Sequence, residues 1–384
     1  MQPAAEPPAG LPEDLLERLI EADERVPDGG GKPADHDLSD VVAEIHRREI
    51  LQRMNRLFRL PGYVAGSKVS TALSLVITSS WPYFLNLILW PLPWDIAYRH
   101  LPGNLFALGA MVVCMTMLSV VWLSYGTALK VGNVMSDLVV SAEERARLRA
   151  WLFSGSSLWK QMTVAVPAAA IGVVLALIAL GDEGGSWGSR MLLFLMGGWL
   201  GFLAGDILYW LLAAALIPGR LRRCGRLRMV WIDPASTPAI RNLCRFYAFV
   251  ASGLAVTVLV FEVLAAVYAR WQQSEVAANV VIALPVLSVV VALYVGVWPF
   301  MVIARLVRDH LDHLLDPVRA QMRRPPAALL TAPGFDDVVK VYQYFTTLRT
   351  LPFRTSALLQ YVAGIAASLV VFFVQRYLTA SSGT

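Results

Sequence analysis

Residues 191–217 read MLLFLMGGWLGFLAGDILYWLLAAALI, an apolar run in which Asp206 is the only charged side chain. At about 1.5 Å per residue, an α-helix of this length crosses the roughly 30 Å hydrocarbon layer of a bilayer. A helix that is apolar on every side must be surrounded by protein or by lipid. This stretch therefore predicts a membrane-spanning helix.

Blocks of similar length and composition recur along the chain. The whole sequence of 384 residues is 57% hydrophobic and only 16% charged, too much apolar material for a soluble protein to bury. We therefore predict an all-α, polytopic transmembrane helical bundle with about seven spanning helices. The seven blocks are 70–92, 104–127, 161–181, 191–217, 246–269, 278–304 and 355–376.

The connections between blocks differ in charge. Those after the first, third and fifth blocks are short, whereas those after the second, fourth and sixth are long and rich in arginine. Basic loops stay in the cytoplasm. We therefore expect a cytoplasmic N-terminus, a C-terminus outside, and a multi-pass protein of the cell membrane; the preference for arginine over lysine indicates a bacterial plasma membrane.

This topology divides the chain into three parts. Residues 1–66 form a cytoplasmic arm with amphipathic helices and a Gly-rich linker, residues 67–378 form the transmembrane bundle, and 379–384 form a short external tail. The cytoplasmic loops, at about 128–160, 218–245 and 305–354, carry helix-start signals such as Ser141 followed by Glu144. The arm's basic amphipathic helix either lies on an anionic membrane surface or packs on the protein's own loops.

Three glycines at four-residue spacing, Gly197, Gly201 and Gly205, lie along one stripe of the fourth block. Without side chains they allow another helix to approach closely. The partner is either a helix of the same chain or, in a homodimer, a second copy.

Two acidic side chains lie inside the apolar blocks, Asp206 in the fourth and Glu262 in the fifth. An ionised carboxylate facing lipid would cost at least about 2.5 kcal/mol, so both should face protein or water. They either handle an ion, a proton or a ligand, or serve only as hydrogen-bonding groups between helices. We expect the two to differ in depth by about 10 Å.

The positive charge of the chain is concentrated beside the apolar blocks. The net charge is +5 and the isoelectric point is near 9.2, and this placement indicates lipid headgroups, with no role for nucleic acid. A cluster after the fourth block either contacts anionic lipid or serves topology alone. Its members are Arg220, Arg222, Arg223, Arg226 and Arg228.

The sequence contains no pattern that would predict catalysis, a cofactor or a metal site. Its three cysteines lack the spacing of a zinc site or a disulfide scaffold, and no phosphate-binding glycine loop or hydrolase motif is found. The leading hypothesis is a transporter or channel-like protein with a polar path near helices four and five. The alternative is a membrane sensor or scaffold that binds a cytoplasmic partner through its arm and loops. An enzyme is the third hypothesis.

Overall fold

The computed structural model describes residues 38–49, 52–53, 68–89, 101–180, 187–224, 227–230, 233–272, 275–322 and 335–347. These residues are almost entirely α-helical, as predicted. Among the described residues, one isolated β-bridge joins Val139 to Leu227. The described helices are α1 Leu38–Arg48, α2 Lys68–Leu89, α3 Leu101–Leu138, α4 Ala142–Gly155, α5 Leu158–Leu180, α6 Trp187–Ala215, α7 Ile217–Leu221, α8 Pro238–Gln272, α9 Glu275–Met322 and α10 Phe335–Thr347.

Four of these helices are long and apolar enough to cross a membrane. They coincide with the second to fifth predicted blocks. The first block overlaps α2, which ends at Leu89, and the sixth falls within α9, whereas the seventh, 355–376, lies outside the described residues. The four candidate spans are Ala107–Leu138, Leu158–Ile178, Arg190–Leu221 and Pro238–Leu264.

The glycine stripe of α6 lies against α5. A Cβ atom added to Gly201 would lie 2.3 Å from the carbonyl oxygen of Ala168. One added to Gly205 would lie 2.8 Å from the Cα of Ala165, and Gly197 meets Gly172 in the same way. The two backbones are therefore in direct contact, which the glycines of α6 and the small residues of α5 permit.

A proline explains how α2 is joined to α6. Pro82 lies inside α2 and has no N–H, so the carbonyl of Thr78, four residues earlier, lacks its usual helical donor. The indole Nε1 of Trp199 donates to this carbonyl at 2.8 Å. Trp81 lies edge-on to Trp199, with ring centroids 5.2 Å apart. Trp81 is partly buried and packs against the apolar core that α2, α3 and α6 form here.

The largest hydrophobic core lies where α3 ends and α8 begins, and we call this the arm end of the bundle. Leu38, Val41 and Ile45 of α1 are buried there with residues of α3, α4, α8 and α9. Residues 38–48 of the arm thus pack on the protein itself. Four further apolar residues that follow in the sequence, Ile50, Met54, Leu57 and Phe58, would share one face of the arm's amphipathic helix, but they lie outside the described residues.

Three helices are much longer than a bilayer requires. Helices α3, α8 and α9 have 38, 35 and 48 residues. At 1.5 Å per residue even the shortest is about 50 Å long, well beyond the 30 Å hydrocarbon layer. These helices therefore continue into the large core at the arm end.

Candidate functional site

Asp206 lies on α6, directly after the last glycine of the stripe. It is 2% exposed, and its Oδ1 atom has no hydrogen-bond partner among the described residues. Because Gly205 brings α5 into backbone contact at this level, the carboxylate is enclosed by protein.

The N-terminal arm reaches this carboxylate. Glu49, just after the end of α1, lies close enough to Asp206 for the two charges to interact. Its Oε2 atom is 2.8 Å from Nδ1 of His46. The other ring nitrogen of His46, Nε2, is 3.1 Å from Nε2 of Gln52. Contacts therefore join Glu49, His46 and Gln52, and we call these three residues, together with the nearby Asp206, the arm cluster.

His46 is held tightly within the arm cluster. Its ring is 3% exposed and stacks on Tyr125 of α3, with centroids 4.0 Å apart and an interplanar angle of 22°. Which of the two ring nitrogens donates depends on the tautomer of His46 and on the orientation of the Gln52 amide.

A tyrosine one helical turn from Asp206 connects the site to the next helix pair. The hydroxyl of Tyr209 donates to the carbonyl of Gly155, the last residue of α4. This bond fixes α6 to the junction between α4 and α5. The level of Asp206 is thus set by contacts with α5, with α4 and with the arm.

The structure does not bring Glu262 to Asp206. Glu262 lies on α8, half-buried, and its Oε1 has no hydrogen-bond partner among the described residues. Leu264, two residues later, packs on Gly109 of α3, whereas the arm cluster is level with Tyr125. The difference in depth of about 10 Å that the sequence predicts between Glu262 and Asp206 stays a prediction.

The arginines expected to contact anionic lipid have varied surroundings. The guanidinium of Arg220 lies 5.1 Å from the ring centroid of Trp151, and Nε of Arg222 donates to Asp309 at 2.7 Å. The second contact ties the segment after α6 to α9. Arg223 and Arg228 are exposed, and Arg226 lies outside the described residues.

Sequence reasoning missed a buried polar stripe on α2. Ser74, Thr78 and Asn86 are at most 5% exposed, and Ser74 Oγ and Asn86 Oδ1 have no hydrogen-bond partner among the described residues. With Pro82, these positions repeat every four residues and share one helix face. That spacing was the signal available in the sequence. It shows that α2 turns a polar face toward the protein interior.

Within the described residues, no group of three or more histidine, cysteine or acidic side chains is placed to hold a metal ion. The candidate site is therefore the arm cluster, built around an enclosed carboxylate on an apolar helix. No family model matches the chain, and neither a curated protein nor a solved structure matches it.

Proposed function

We propose that this protein is a proton- or cation-handling transporter or channel-like protein of the cell membrane. Its polar path lies near α6 and α8, and Asp206 is the ionisable residue. The observation that carries the proposal is the Oδ1 atom of Asp206, which is buried and has no hydrogen-bond partner among the described residues.

An acid that only joined helices would be expected to use its oxygens. A buried acceptor without a partner costs about 1–3 kcal/mol, and more when charged. A function that requires the carboxylate to exchange a proton or a cation explains why this cost is retained. At the arm end, the Glu49 carboxylate lies 2.8 Å from the His46 ring, and the pair adds two polar side chains near this path.

The proposed topology has seven crossings, with the arm in the cytoplasm and the C-terminus outside. Four spans and the two further apolar helices α2 and α9 support it. We expect a cysteine introduced at Gly185 to react with an impermeant reagent on intact cells. One introduced at Ser236, which is exposed beside α8, should react only after lysis. The opposite pattern would refute this orientation.

The test of function is Asp206→Asn, because asparagine has nearly the same size and still forms hydrogen bonds. In liposomes carrying a pH- or cation-sensitive dye, we expect the variant to lose pH- or cation-dependent flux. Its yield and thermal stability should be those of the parent protein. Asp137→Asn, the same change at an exposed position of α3, is the matched control and should leave flux intact.

Full flux in Asp206→Asn would refute the proposal. The carboxylate would then serve only as a hydrogen-bonding group between helices. Flux lost equally in Asp137→Asn would also refute it, because the effect would not be specific to the enclosed site.

A second function, that of a membrane sensor or scaffold, is favoured by one observation. The arm docks on α3 and α4 through a large apolar core, which leaves Arg47 and Arg48 exposed for a cytoplasmic partner. A stable co-purifying protein together with no flux in liposomes would select this alternative.

A further inference from the structure

The outer side of the arm carries an open cavity of about 340 Å³ at the protein surface. It is lined by Glu44, Arg47, Arg48 and Arg53. Small-molecule sites have volumes from about 300 Å³ upward, so there is space for more than a single inorganic ion. Three guanidinium groups around one cavity indicate a negatively charged ligand.

The charge of this cavity can be worked out from its four side chains. A hydrogen bond from Arg48 lowers the pKa of Glu44, so the carboxylate is ionised at neutral pH. Arginine is always protonated in proteins. Three positive groups and one negative group leave an excess of two positive charges. A phosphate monoester carries about −1.5 to −2 at pH 7 and would neutralise it.

Two of the arginines are held in place before any ligand arrives. Nε of Arg48 donates to Glu44 Oε1 at 3.0 Å, and its guanidinium lies 4.9 Å from the ring centroid of Phe153. Nε of Arg53 donates to the carbonyl of Arg48 at 2.9 Å. Neither hydrogen bond uses the terminal NH₂ groups. The terminal NH₂ groups can therefore bind two oxygens of one phosphate. Because the two hydrogen bonds already restrict the arginine side chains, these side chains lose less conformational entropy when a ligand binds.

The wall of the cavity is also fixed. Leu38, Val41 and Ile45, on the other side of α1, are buried in the large core. A second basic group, Arg149 of α4, lies 5.5 Å from the same Phe153 ring and adds to the positive potential. A freely moving surface arginine has neither the hydrogen bonds of Arg48 and Arg53 nor a helix that is fixed by a buried apolar face.

We propose that the cavity of Glu44, Arg47, Arg48 and Arg53 binds the phosphate group of an organic phosphate. Arg48 and Arg53 are its principal donors. The same chemistry is offered by a phospholipid headgroup with a terminal phosphate and by a soluble phosphate ester.

Calorimetric titration of the purified full-length protein tests this site with two probes. The soluble probe is pyrophosphate, and the lipid probe is a nanodisc series with phosphatidic acid or only phosphatidylcholine. We expect saturable binding of at least one. Arg48→Lys and Arg53→Gln should each weaken it about tenfold or more, because hydrogen bonds between charged groups are the strong ones. Arg48→Lys keeps the charge and loses the bidentate edge.

Arg147→Gln is the matched control, since Arg147 is an equally basic residue of α4 that pairs with Glu143 on the surface. Its binding should be that of the parent protein. Binding of pyrophosphate identifies a soluble ligand, and a response confined to phosphatidic acid identifies a headgroup. The proposal is overturned if neither probe binds, or if Arg147→Gln weakens binding as much as Arg53→Gln. Melting curves of all three variants verify that each is folded.

Discussion

Replacing Gly201 by alanine tests the contact between α5 and α6 most directly. The new Cβ would lie 2.3 Å from the carbonyl oxygen of Ala168 and 3.0 Å from the Cα of Ala169. Both atoms belong to the backbone, so no side chain can rotate away. Ordinary contact begins at 3.4 Å, which means that the helices must separate by about 1 Å at this point.

The energetic cost follows from that separation. A gap of 0.5–1 Å forfeits about a quarter to a half of the dispersion energy between facing atoms. The contacts of Gly197 and Gly205 with α5 lie on the same stripe and would loosen as well. Overpacking of this kind costs about 1–3 kcal/mol. We expect the upper half of that range, because backbone meets backbone.

A matched control is available in α3. At Gly126 an added Cβ meets nothing within 4 Å, so Gly126→Ala should gain about 0.5–1 kcal/mol from helix propensity alone. Thermal unfolding of the detergent-solubilised proteins should therefore separate the two variants by several degrees, at roughly 2 °C per kcal/mol. If Gly201→Ala unfolds at the same temperature as Gly126→Ala, the inference that the backbones of α5 and α6 are in contact at Gly201 is wrong.

Two other predictions test contacts outside the stripe. Trp199→Phe should lower the free energy of unfolding by about 1–2 kcal/mol, because it leaves the carbonyl of Thr78 without the indole donor. In a Pro82→Ala background, residue 82 regains its N–H, so the same change should cost less. An equal cost in the two backgrounds, measured by thermal unfolding, would exclude a role for the proline in this contact. Burial and, secondarily, the charge of Glu144 raise the pKa of the Cys224 thiol, so thiolate is scarce at pH 8 and alkylation should be slower than for free cysteine. Glu144→Gln removes the negative charge, lowers that pKa and should accelerate the reaction; an unchanged rate in a stopped alkylation assay would contradict it.

The helical class and four of the spans could be predicted because length and apolarity are local properties of the chain. The blocks 104–127 and 191–217 needed no knowledge of their neighbours to be recognised as helices of membrane length. The residue at which each helix ends was harder to predict from the sequence. Helix α3 continues to Leu138, well past its block, because the last part of the helix is buried by the arm and by α8.

The partners of each helix face could not be predicted from spacing alone. The glycine stripe of α6 was visible in the sequence, but Ala165, Ala168 and Gly172 are ordinary residues of an apolar helix until α5 is placed beside it. The periodicity of the arm likewise gave an apolar face without saying what covers it. Packing between distant parts of the chain decides such contacts.

The candidate site was accessible only in part, for the same reason. Asp206 was conspicuous because a lone carboxylate in an apolar run is costly. Its neighbour Glu49 comes from a segment more than 150 residues away. His46 carries no sequence signal of burial, since its stacking on Tyr125 depends on how α1 docks. The distance between Glu262 and the arm cluster depends on the register of α8 against α3.

The length of α3 and α8, which have no proline beyond their first turn, has a mechanical consequence. A helix is stiff along its axis, so a tilt imposed within the bilayer reaches the other end without loss at a joint. If roughly 40 Å of helix lies beyond the pivot, a tilt of about 5° moves its tip by about 3 Å. The tips of α3 and α8 are packed against α1 in one core, so they cannot swing without displacing it. The arm is therefore placed to sense, or to impose, the angle of the membrane helices.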